Sequence, residues 1–492
     1  MGRSRRSLTL AAVVVAVFTG VAAGSAAGGV VKAVTTISGP SPFAACAASD
    51  QVAGNVLNAE VEPWLAVNPL SSNVAVGWQQ DRWGDPNEGG AHGLVDWSSA
   101  TGARTWAPFT SCSGGTAANN GNYDRASDVW LSYGPDGVLY QASLGFDWFD
   151  GRNAVTVSRS TDDGATWSTP VFVDRANRQS FTKGDDKEAI TADPYHPGVV
   201  YVVWDRYSAQ SPTFSDGHGQ RSNKGPAFFS KSTDGGRTWS DPAVIYNQNQ
   251  GTLGNQLVVL PSGTLADFFV EFVATNVEGG VSWSERLDEI QSGDGGSSWT
   301  KPVVVSQLTP NGTFDPVTGE YIRAGDSLFD VAVDATTGAL YAVWEDAMFS
   351  GVDQVAMSSS TDGGLTWSAP QKVSDTPHRS NPLYEQAFTP SVNVGADGTV
   401  AITYYDFRLS PDGSDLVDYW GATSGDGGGT WSSATRLTTS SFPASAAPSA
   451  GGPMIGDYEG LSHVAGSFVT AFEVTTTDPS NPTDIDLASA AA

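Results

Sequence analysis

One short turn recurs six times along the chain and constrains its fold more than any other feature. The clearest copy of the turn reads STDGGRTWSDP from Ser232 to Pro242. Each copy contains one tryptophan, and in chain order these are Trp106, Trp167, Trp239, Trp299, Trp367 and Trp431. In the shared pattern Ser-x-Asp-x-Gly-x-Thr-Trp, the Asp and hydroxyl side chains bond nearby backbone amides, Gly takes a positive φ, and Trp covers the turn. Such a turn joins two antiparallel strands, and its recurrence every 60 to 72 residues predicts a repeat architecture.

A second kind of hairpin alternates with the first, and its strands are rich in β-branched and aromatic residues. Its seven copies begin at Glu62, Ser127, Glu188, Gly254, Asp326, Pro390 and Gly456. Two hairpins make a four-stranded antiparallel blade, so the chain is predicted to be an all-β protein with the fold of a β-propeller. We expect seven blades, with six as the alternative.

The count of seven hairpins against six leaves one turn of the first kind missing. The tail from Asp484 to Ser489 resembles the strand that precedes the other turns, and Val30 to Thr36 resembles the strand that follows them. The two chain ends together would supply the missing hairpin. We therefore predict that residues 30–36 form the outermost strand of the last blade.

The first residues predict export. A basic start at Arg3, Arg5 and Arg6 precedes an apolar run that is short for a membrane span, and small residues follow near Ala26. We expect residues 1–27 to be a signal peptide, with Sec and twin-arginine export both open, and residues 28–492 to be one secreted domain without a membrane anchor. The net charge of -28 argues against nucleic acid as a partner, because phosphate would be repelled over most of the surface.

The chain has two cysteines, Cys46 and Cys112. In the repeat register each follows the outermost strand of a blade, and these blades are neighbours. Because an exported protein meets an oxidising environment, we predict a disulfide between them, with two free thiols as the alternative.

The recurring turns resemble the Asp-box, or BNR repeat, of sialidases (neuraminidases) and related secreted propellers. Five copies keep the Asp, Gly and Trp, and their aspartates are Asp162, Asp234, Asp294, Asp362 and Asp426. The resemblance implies that these turns are structural and lie opposite the active face. The active face would then hold the loops that leave each second strand and enter each first strand, where charged residues such as Glu62, Asp128, Asp186, Lys187 and Asp457 gather.

The resemblance also implies a chemistry. Sialidases hold a substrate carboxylate with three arginines, use a tyrosine activated by a glutamate as nucleophile, and use an aspartate as acid and base. The implied candidates are Arg82, Arg206, Arg323 and Arg408 for the clamp, Tyr458 or Tyr384 for the nucleophile, Glu459, Glu385 or Glu188 for its partner, and Asp85 or Asp81 for the acid. We expect Tyr458, Glu459, Asp85 and Glu385 to be the catalytic residues.

Three alternatives stay open from the sequence. The recurring pairs at Asp81-Arg82, Asp205-Arg206 and Asp406 with Arg408 could be ion pairs that tie one blade to the next. The function could be that of a uronate lyase, or of a propeller that binds a glycan or a protein without catalysis, rather than that of a hydrolase releasing sialic or related acidic sugars. No cofactor or transition metal is expected, and the loop from Asp412 to Asp415 gives only weak support for calcium.

Overall fold

Antiparallel strands supply most of the regular structure in this computed structural model, which describes residues 31–46, 54–84, 89–147, 151–176, 183–208, 213–215, 221–223, 225–247, 251–277 and 280–491. The helical elements in these ranges are short 3₁₀ turns at Ala117–Asn119, Ala347–Phe349, Pro382–Glu385 and Ala444–Ala446. No helix in the described ranges is both long and apolar enough to cross a membrane.

The first half of the chain supplies four successive sheets. Sheet 1 contains β2 (Glu60–Val67), β3 (Val74–Arg82), β4 (Ala91–Ser98) and β5 (Arg104–Thr105), which follow the N-terminal strand β1 (Val31–Thr36). Sheet 2 contains β6 (Arg125–Tyr133), β7 (Leu139–Phe146), β8 (Asn153–Ser160) and β9 (Val171–Ala176). Sheet 3 contains β10 (Lys183–Ala192), β11 (Val200–Ser208), β14 (Ala227–Ser232) and β15 (Ala243–Tyr246), with the small hairpin β12 (Thr213–Ser215) and β13 (Arg221–Asn223) between its second and third strands. Sheet 4 contains β16 (Thr252–Val259), β17 (Leu265–Val277), β18 (Gly280–Ser292) and β19 (Val303–Leu308).

The second half supplies three more sheets. A small hairpin, β20 (Thr313–Phe314) and β21 (Tyr321–Ile322), precedes sheet 5, which contains β22 (Phe329–Val333), β23 (Leu340–Asp346), β24 (Gln354–Ser360) and β25 (Gln371–Lys372). Sheet 6 contains β26 (Ala387–Val394), β27 (Val400–Asp406), β28 (Leu416–Ser424) and β29 (Thr435–Arg436), and β30 (Phe442–Pro443) also pairs with β28. Sheet 7 contains β31 (Gly460–Val464), β32 (Ser467–Asp478), β33 (Asn481–Ala491) and β1.

The first strands of these sheets contact one another in a closed cycle. In the described part of the chain, β2 contacts β6, β6 contacts β10, β10 contacts β16, β16 contacts β22, β22 contacts β26, β26 contacts β31, and β31 contacts β2. A single residue pair, Ala91 with Ala126, joins sheets 1 and 2 edge to edge. The residues that enter the first strands are thereby brought close together.

The two ends of the chain complete sheet 7. The N-terminal strand β1 pairs antiparallel with β33, with Val34 opposite Ala488 and Thr36 opposite Asp486. The Thr36 hydroxyl donates a hydrogen bond of 2.7 Å to the Asp486 carboxylate. This pairing confirms the predicted union of residues 30–36 with the tail for residues 31–36, and Val30 lies outside the described residues.

The apolar core lies between neighbouring sheets. Tyr419 of sheet 6 stacks on Phe472 of sheet 7, with ring centroids 4.6 Å apart. Sheet 7 in turn packs on sheet 1, where Ile485 joins a buried cluster with Val76 and Trp78. Residues alternate between the two faces of a strand, so each sheet contributes side chains to two such layers.

The Asp-box turns join the third and fourth strands of sheets 2 to 6 and have one hydrogen-bonding pattern. In the turn of sheet 3, the Asp234 carboxylate accepts hydrogen bonds from the Ser232 hydroxyl at 2.9 Å and from the Thr238 hydroxyl at 2.6 Å. The Gly236 amide donates to Ser232 Oγ at 2.9 Å, and Gly236 has a φ of 73°. These groups satisfy one another within the turn, so the box stabilises the connection between two strands.

A disulfide joins Cys46 and Cys112, the pair expected from the repeat register. The bond connects the segment that follows β1 to the segment that follows β5, and both cysteines lie against the apolar layer between sheets 7 and 1. It therefore ties the N-terminal strand to sheet 1.

Replacing both cysteines should destabilise the fold. The disulfide closes a loop of 66 residues, and the loss of this constraint should lower the free energy of unfolding of a C46S/C112S variant by about 4 kcal/mol. Urea denaturation followed by tryptophan fluorescence would measure the change. Reductant should bring the wild type to the stability of the variant and leave the variant unchanged; wild-type protein with verified free thiols and unaltered stability would contradict the prediction.

Candidate functional site

Each sheet has a left-handed residue at an equivalent position in or just before its first strand. In chain order these residues are Glu62, Asp128, Lys187, Gly254, Asp326, Thr389 and Gly456, with φ angles of 55°, 47°, 50°, 72°, 51°, 47° and 78°. In the five sheets that begin with β2, β6, β10, β16 and β26, the residue falls at a shift in strand register that marks a β-bulge. Bulges of this kind turn side chains out of the regular alternation and are common beside active sites.

Five of these seven positions are not glycine, and four of the five, Glu62, Asp128, Lys187 and Asp326, carry an ionisable side chain. A left-handed conformation costs such a residue about 1–2 kcal/mol. Strain that recurs at one place in successive sheets marks that place as a candidate functional site.

Seven charged residues from separate parts of the chain meet where the first strands converge, and we call them the central cluster. They are Glu62 and Arg82 of sheet 1, Asp128 of sheet 2, Asp186 and Lys187 of sheet 3, Arg323 of the segment before sheet 5, and Asp457 of the segment before β31.

Asp457 is the anion around which two cations of the cluster are arranged. Arg323 Nε donates to Asp457 Oδ1 at 2.8 Å, its Nη2 donates to Oδ2, and Lys187 Nζ donates to the same Oδ2 at 2.6 Å. Burial would raise the pKa of Asp457, but the two cations outweigh burial and hold this pKa well below its usual range. Asp457 therefore stays ionised.

Backbone hydrogen bonds explain why Arg323 reaches Asp457. The Arg323 amide donates to the Pro453 carbonyl at 2.8 Å, and the Ile455 amide donates to the Arg323 carbonyl at 2.9 Å. This short parallel contact holds the segment before sheet 5 beside the segment before sheet 7. The two side chains are thus positioned by main-chain geometry.

Arg82 connects to the cluster through a buried glutamine. Arg82 Nη1 donates to Gln79 Oε1 at 2.6 Å, and Gln79 Nε2 donates to Glu62 Oε2. Glu62 Oε1 accepts the backbone N–H of Asp457 at 3.2 Å. Arg82 is 4% exposed, and its Nε has no hydrogen-bond partner among the described residues.

The central cluster forms one wall of a pocket with a volume of about 540 Å³. Arg82, Asp128, Asp186, Lys187 and Arg323 line this wall. The remaining lining comes from Gly89 and Gly90 before β4, from Ser127, from the end of β7, from Asp147, Gly151, Arg152 and Asn153 at the connection to β8, and from Gly184 and Asp185. The cluster is thus accessible from the face that holds the entries to the first strands. The Asp-box turns lie at the opposite ends of the strands.

The acidic groups of the cluster differ in their affinity for protons. Burial, with Asp128 close by, raises the pKa of Asp186 to about 6. Burial, with Asp457 close by, raises the pKa of Glu62 to about 7. Both groups lie within reach of Asp457, which stays ionised, and such divergence between neighbouring carboxyls characterises sites of acid–base chemistry.

Arg206 lies outside the pocket. It pairs with Asp174 in the fourth strand of sheet 2 and, at 2.7 Å, with Asp185 of its own sheet. Its guanidinium also covers the Phe228 ring, with 4.1 Å between the guanidinium carbon and the ring centroid. Arg206 therefore ties sheet 2 to sheet 3, and it is not among the described residues that line the main pocket.

Arg408 of sheet 6 has the same arrangement as Arg206 of sheet 3. It pairs with Asp375, which follows the fourth strand of sheet 5, at 2.7 Å and with Asp406 of sheet 6 at 2.6 Å. Its guanidinium lies 4.0 Å from the centroid of Trp420. Here too the alternative interpretation from the sequence, an ion pair between neighbouring sheets, describes the contacts.

Tyr458 lies next to the central cluster but outside the lining of the main pocket. Its ring meets Trp64 and Trp130 edge to face, and its hydroxyl accepts the Val129 amide at 3.1 Å. A small cavity of about 30 Å³ is lined by Tyr458 and Glu188 together with Asp128 and Lys187, which also line the main pocket. Both carboxylate oxygens of the buried Glu188 lack a hydrogen-bond partner among the described residues.

The other two glutamates expected as partners of the nucleophile lie elsewhere. Glu459 accepts the Tyr405 hydroxyl at 2.6 Å in the layer between sheets 6 and 7. Glu385 is in the short helix before sheet 6, where it accepts the Arg379 amide at 3.0 Å and contacts His378. Among the described contacts, neither glutamate is hydrogen-bonded to Tyr458, whose hydroxyl meets the Val129 amide instead. Of the three candidates, Glu188 shares a cavity with Tyr458.

The remaining candidates have other surroundings. Asp85 lies outside the described residues. Asp81 is bound by Ser41 Oγ at 2.5 Å and by His92 at 3.2 Å, and so anchors the segment after β1. Tyr384 donates its hydroxyl hydrogen to the Ser414 carbonyl at 3.1 Å.

The loop with weak support for calcium is held by protein groups. Asp412 pairs with Arg379 at 2.6 Å, and Asp415 accepts the Ser445 amide at 2.8 Å. Within the described ranges, no group of three or more His, Cys, Asp or Glu side chains has an arrangement that could hold a metal ion.

The sequence indicated the rim of charges but not the partners within it. Asp185, Asp186, Lys187 and Glu188 form four successive charged residues in the first part of β10, and this run was the available signal. The role of Lys187 follows only from its contact with Asp457, 270 residues later in the chain. The role of Gln79 follows from side-chain contacts with Arg82 and Glu62, which the pattern of the repeat does not predict.

A family model for the BNR repeat-like domain matches residues 338–481. The chain thus resembles the sialidase-like superfamily of Asp-box proteins. The matched segment includes the boxes of Asp362 and Asp426, so the comparison confirms the resemblance on which the sequence analysis relied.

Solved structures of several carbohydrate-active proteins are similar to this Asp-box protein. An α-L-arabinanase from Penicillium chrysogenum in complex with arabinobiose is 11% identical, with a TM-score of 0.47, over 93% of this chain and 98% of that chain. The intramolecular trans-sialidase from Ruminococcus gnavus is 14% identical, with a TM-score of 0.43, over 75% and 94%. A variant of the NanB sialidase from Streptococcus pneumoniae is 12% identical, with a TM-score of 0.43, over 75% and 69%. None of the curated proteins matches the chain.

The pH dependence of stability should have two opposing parts. The carboxyl groups of the boxes, Asp234, Asp294 and Asp362, have pKa values of about 2, because they accept hydrogen bonds, above all from the hydroxyls of Thr238, Ser298 and Thr366 respectively. Their contribution to the free energy of unfolding is therefore lost as pH falls from about 4 to about 2. Burial raises the pKa of Glu60 to about 8 and that of Asp330 to about 7, so their contribution is lost as pH rises from about 4 towards these values. We therefore expect the free energy of unfolding to be greatest at about pH 4–5.

Urea denaturation across this pH range would test the balance, with one matched pair of variants. E60Q should reduce the fall in stability between pH 5 and pH 8, because the amide removes the buried ionisation. E320Q changes an exposed glutamate and should keep the wild-type dependence. A wild-type stability that increases from pH 5 to pH 8 would contradict the prediction.

Proposed function

We propose that this protein is a glycoside hydrolase of sialidase type that releases a terminal acidic sugar in the pocket beside the central cluster. One observation carries the proposal: Arg82 and Arg323, from distant parts of the chain, line one pocket together with Asp186, a carboxyl group of raised pKa. The Asp-box resemblance supports the same class of activity. The contact cycle of the first strands supports the further proposal that the seven sheets are the blades of a closed propeller with the pocket at its centre.

The cations of the pocket are suited to a sugar carboxylate. A guanidinium can bind a carboxylate with two parallel hydrogen bonds, and Arg82 Nε has no partner among the described residues. Arg323 and Lys187 add positive charge on the same wall, although Asp457 occupies part of their hydrogen-bonding capacity. In a chain of net charge -28, an anionic substrate needs such a local concentration of cations.

Asp186 is the proposed general acid. Its carboxyl group lines the pocket, and a pKa of about 6 keeps part of the population protonated near neutral pH. It would protonate the glycosidic oxygen as the bond to the leaving group breaks. Lys187 N–H donates to Asp186 Oδ1 at 3.1 Å and holds this carboxyl group in place.

Tyr458 and Glu188 are the proposed nucleophile and its proton acceptor. They share a cavity that adjoins the pocket through Asp128 and Lys187, and the oxygens of Glu188 have no partner among the described residues. A tyrosine nucleophile avoids placing a second carboxylate against an anionic sugar. Water would then hydrolyse the glycosyl-enzyme with the help of Asp186.

A second candidate is hydrolysis of a neutral glycoside by two carboxyl groups. Asp128 and Asp186 both line the main pocket, whereas Tyr458 does not, and this observation favours Asp128 as nucleophile or base. Such a mechanism does not need an arginine clamp. A uronate lyase has less support, because the described lining of the pocket contains no histidine.

Substitutions in the pocket test the assignment. Purified protein should hydrolyse 4-methylumbelliferyl N-acetylneuraminide, and D186N should lower kcat by about 10²–10⁴-fold because it removes the acid. R82M should lower kcat/KM through weaker binding. Since the acid must carry its proton, wild-type kcat/KM should fall as pH rises through about 6.

The matched control is R408M, which removes another arginine with two carboxylate partners from outside the pocket. It should lower stability and leave kcat/KM unchanged. Activity on 4-nitrophenyl α-L-arabinofuranoside with none on the sialoside would favour the two-carboxylate candidate. Unsaturated products from an acidic polysaccharide would favour a lyase, and glycan binding without turnover would favour a non-catalytic protein.

A further inference from the structure

Glu62 is not among the described residues that line the pocket, and it is linked to Arg82 through Gln79, which donates to Glu62 and accepts from Arg82. We propose that Glu62 is a positioning residue: when its carboxylate takes up a proton, Gln79 turns over and releases Arg82 to bind the anionic group of the ligand. The proposal rests on the proposed function, because it assumes an acidic ligand in the pocket.

Arg82, Gln79 and Glu62 form a chain of hydrogen bonds that we call the relay, and the chemistry of each group fixes the direction of each bond. A guanidinium can only donate, so Arg82 Nη1 must face the Gln79 oxygen, at 2.6 Å. The Gln79 amide nitrogen then faces Glu62 Oε2, and the other oxygen of Glu62 accepts the Asp457 N–H at 3.2 Å. Both oxygens of Glu62 face N–H donors and accept hydrogen bonds, as an ionised carboxylate does.

A proton on Glu62 breaks this pattern. Protonated Glu62 has a hydrogen to donate, and the Gln79 oxygen is the acceptor next to it. If Gln79 turns its oxygen towards Glu62, its amide nitrogen faces Arg82, and two donors then face each other. Arg82, whose Nε already lacks a partner among the described residues, is left to take its acceptors from a ligand in the pocket.

The surroundings of Glu62 favour such a change near neutral pH. Glu62 is 1% exposed and is held in a left-handed conformation. Burial and Asp457 raise its pKa to about 7, while Lys187 and Arg82 oppose this rise. The charged or titratable groups within electrostatic reach of it are Arg82, Asp128, Lys187, Arg323, Asp457, Tyr458, Glu459 and Glu473.

A bound anion beside Arg82 and Arg323 would raise the pKa of Glu62, as the carboxylate of Asp457 does. It would favour the protonated form, so binding of the anion should draw a proton from solution when the pH is above about 7. By linkage, the affinity for the anion should fall as pH rises above this value. This effect concerns binding and is separate from the proton that Asp186 supplies to the leaving group.

The first experiment needs no ligand. The potentiometric titration curve of E62Q, subtracted from that of the wild type, should show one proton released between pH 6 and pH 8. The difference between the curves of R82M and R82M/E62Q should show the same proton released at higher pH. The reason is that Arg82 stabilises the ionised carboxylate of Glu62 through Gln79. A difference centred below pH 5.5, or one that R82M leaves in place, would overturn the proposal.

The second experiment measures calorimetric binding of N-acetylneuraminic acid from pH 5.5 to pH 8.5 in two buffers of different ionisation enthalpy. The wild-type Kd should increase by up to about tenfold per pH unit above pH 7, with proton uptake, since one group is linked to binding. E62Q should bind without this proton uptake and with a nearly constant Kd. An E62Q variant that keeps the wild-type pH dependence would overturn the proposal.

A variant of the relay itself provides a second test that does not depend on the folding of E62Q. Q79M removes the acceptor of Arg82 at every pH, so the dependence of Kd on pH should become shallower; an unchanged dependence would count against the relay. If no variant binds the sugar while the titrations behave as expected, the proposed substrate class fails and the control of Arg82 by Glu62 is retained.

Discussion

The pairing of β1 with β33 is the constraint on which the rest of the structure depends. Without β1, the outer edge of sheet 7 would expose unpaired backbone groups, and sheet 7 would lose the strand that carries Val34 into the layer against sheet 6. Sheet 7 also packs against sheet 1 and is preceded by Asp457, the anion that holds Arg323 and Lys187. Sheet 7, which the two ends of the chain complete, thus also follows directly on the anion of the central cluster.

The strain at the entries of the first strands has a physical consequence for the site. A regular strand would direct successive side chains to its two faces, into the layers between sheets. The left-handed residue at each bulge departs from this alternation, and it places Glu62, Asp128 and Lys187 where they meet residues of other sheets. The stability of the surrounding sheets offsets the cost, which for each of these residues is small beside the gain from burying the adjacent apolar layers.

The sequence predicted the repeated elements much better than the site. The Asp-box turns and apolar hairpins carry local signals that recur, so the antiparallel strands, the disulfide pair and the pairing of the chain ends all followed from the register of the repeat. The contacts of long charged side chains do not follow from register. Arg82, Arg206 and Arg408 occupy similar repeat positions, yet the structure gives them different partners.

The reason lies in the fourth strand of the preceding sheet. Arg206 meets Asp174 from sheet 2, and Arg408 meets Asp375 from sheet 5. The sheet that precedes sheet 1 is sheet 7, whose fourth strand is β1, and residues 31–46 contain no acidic side chain. Arg82 therefore lacks the carboxylate that holds its two counterparts between sheets, and its guanidinium extends instead to Gln79 and the pocket. The same union of chain ends that completes sheet 7 thus leaves one arginine of the repeat in the lining of the pocket instead of in an ion pair between sheets.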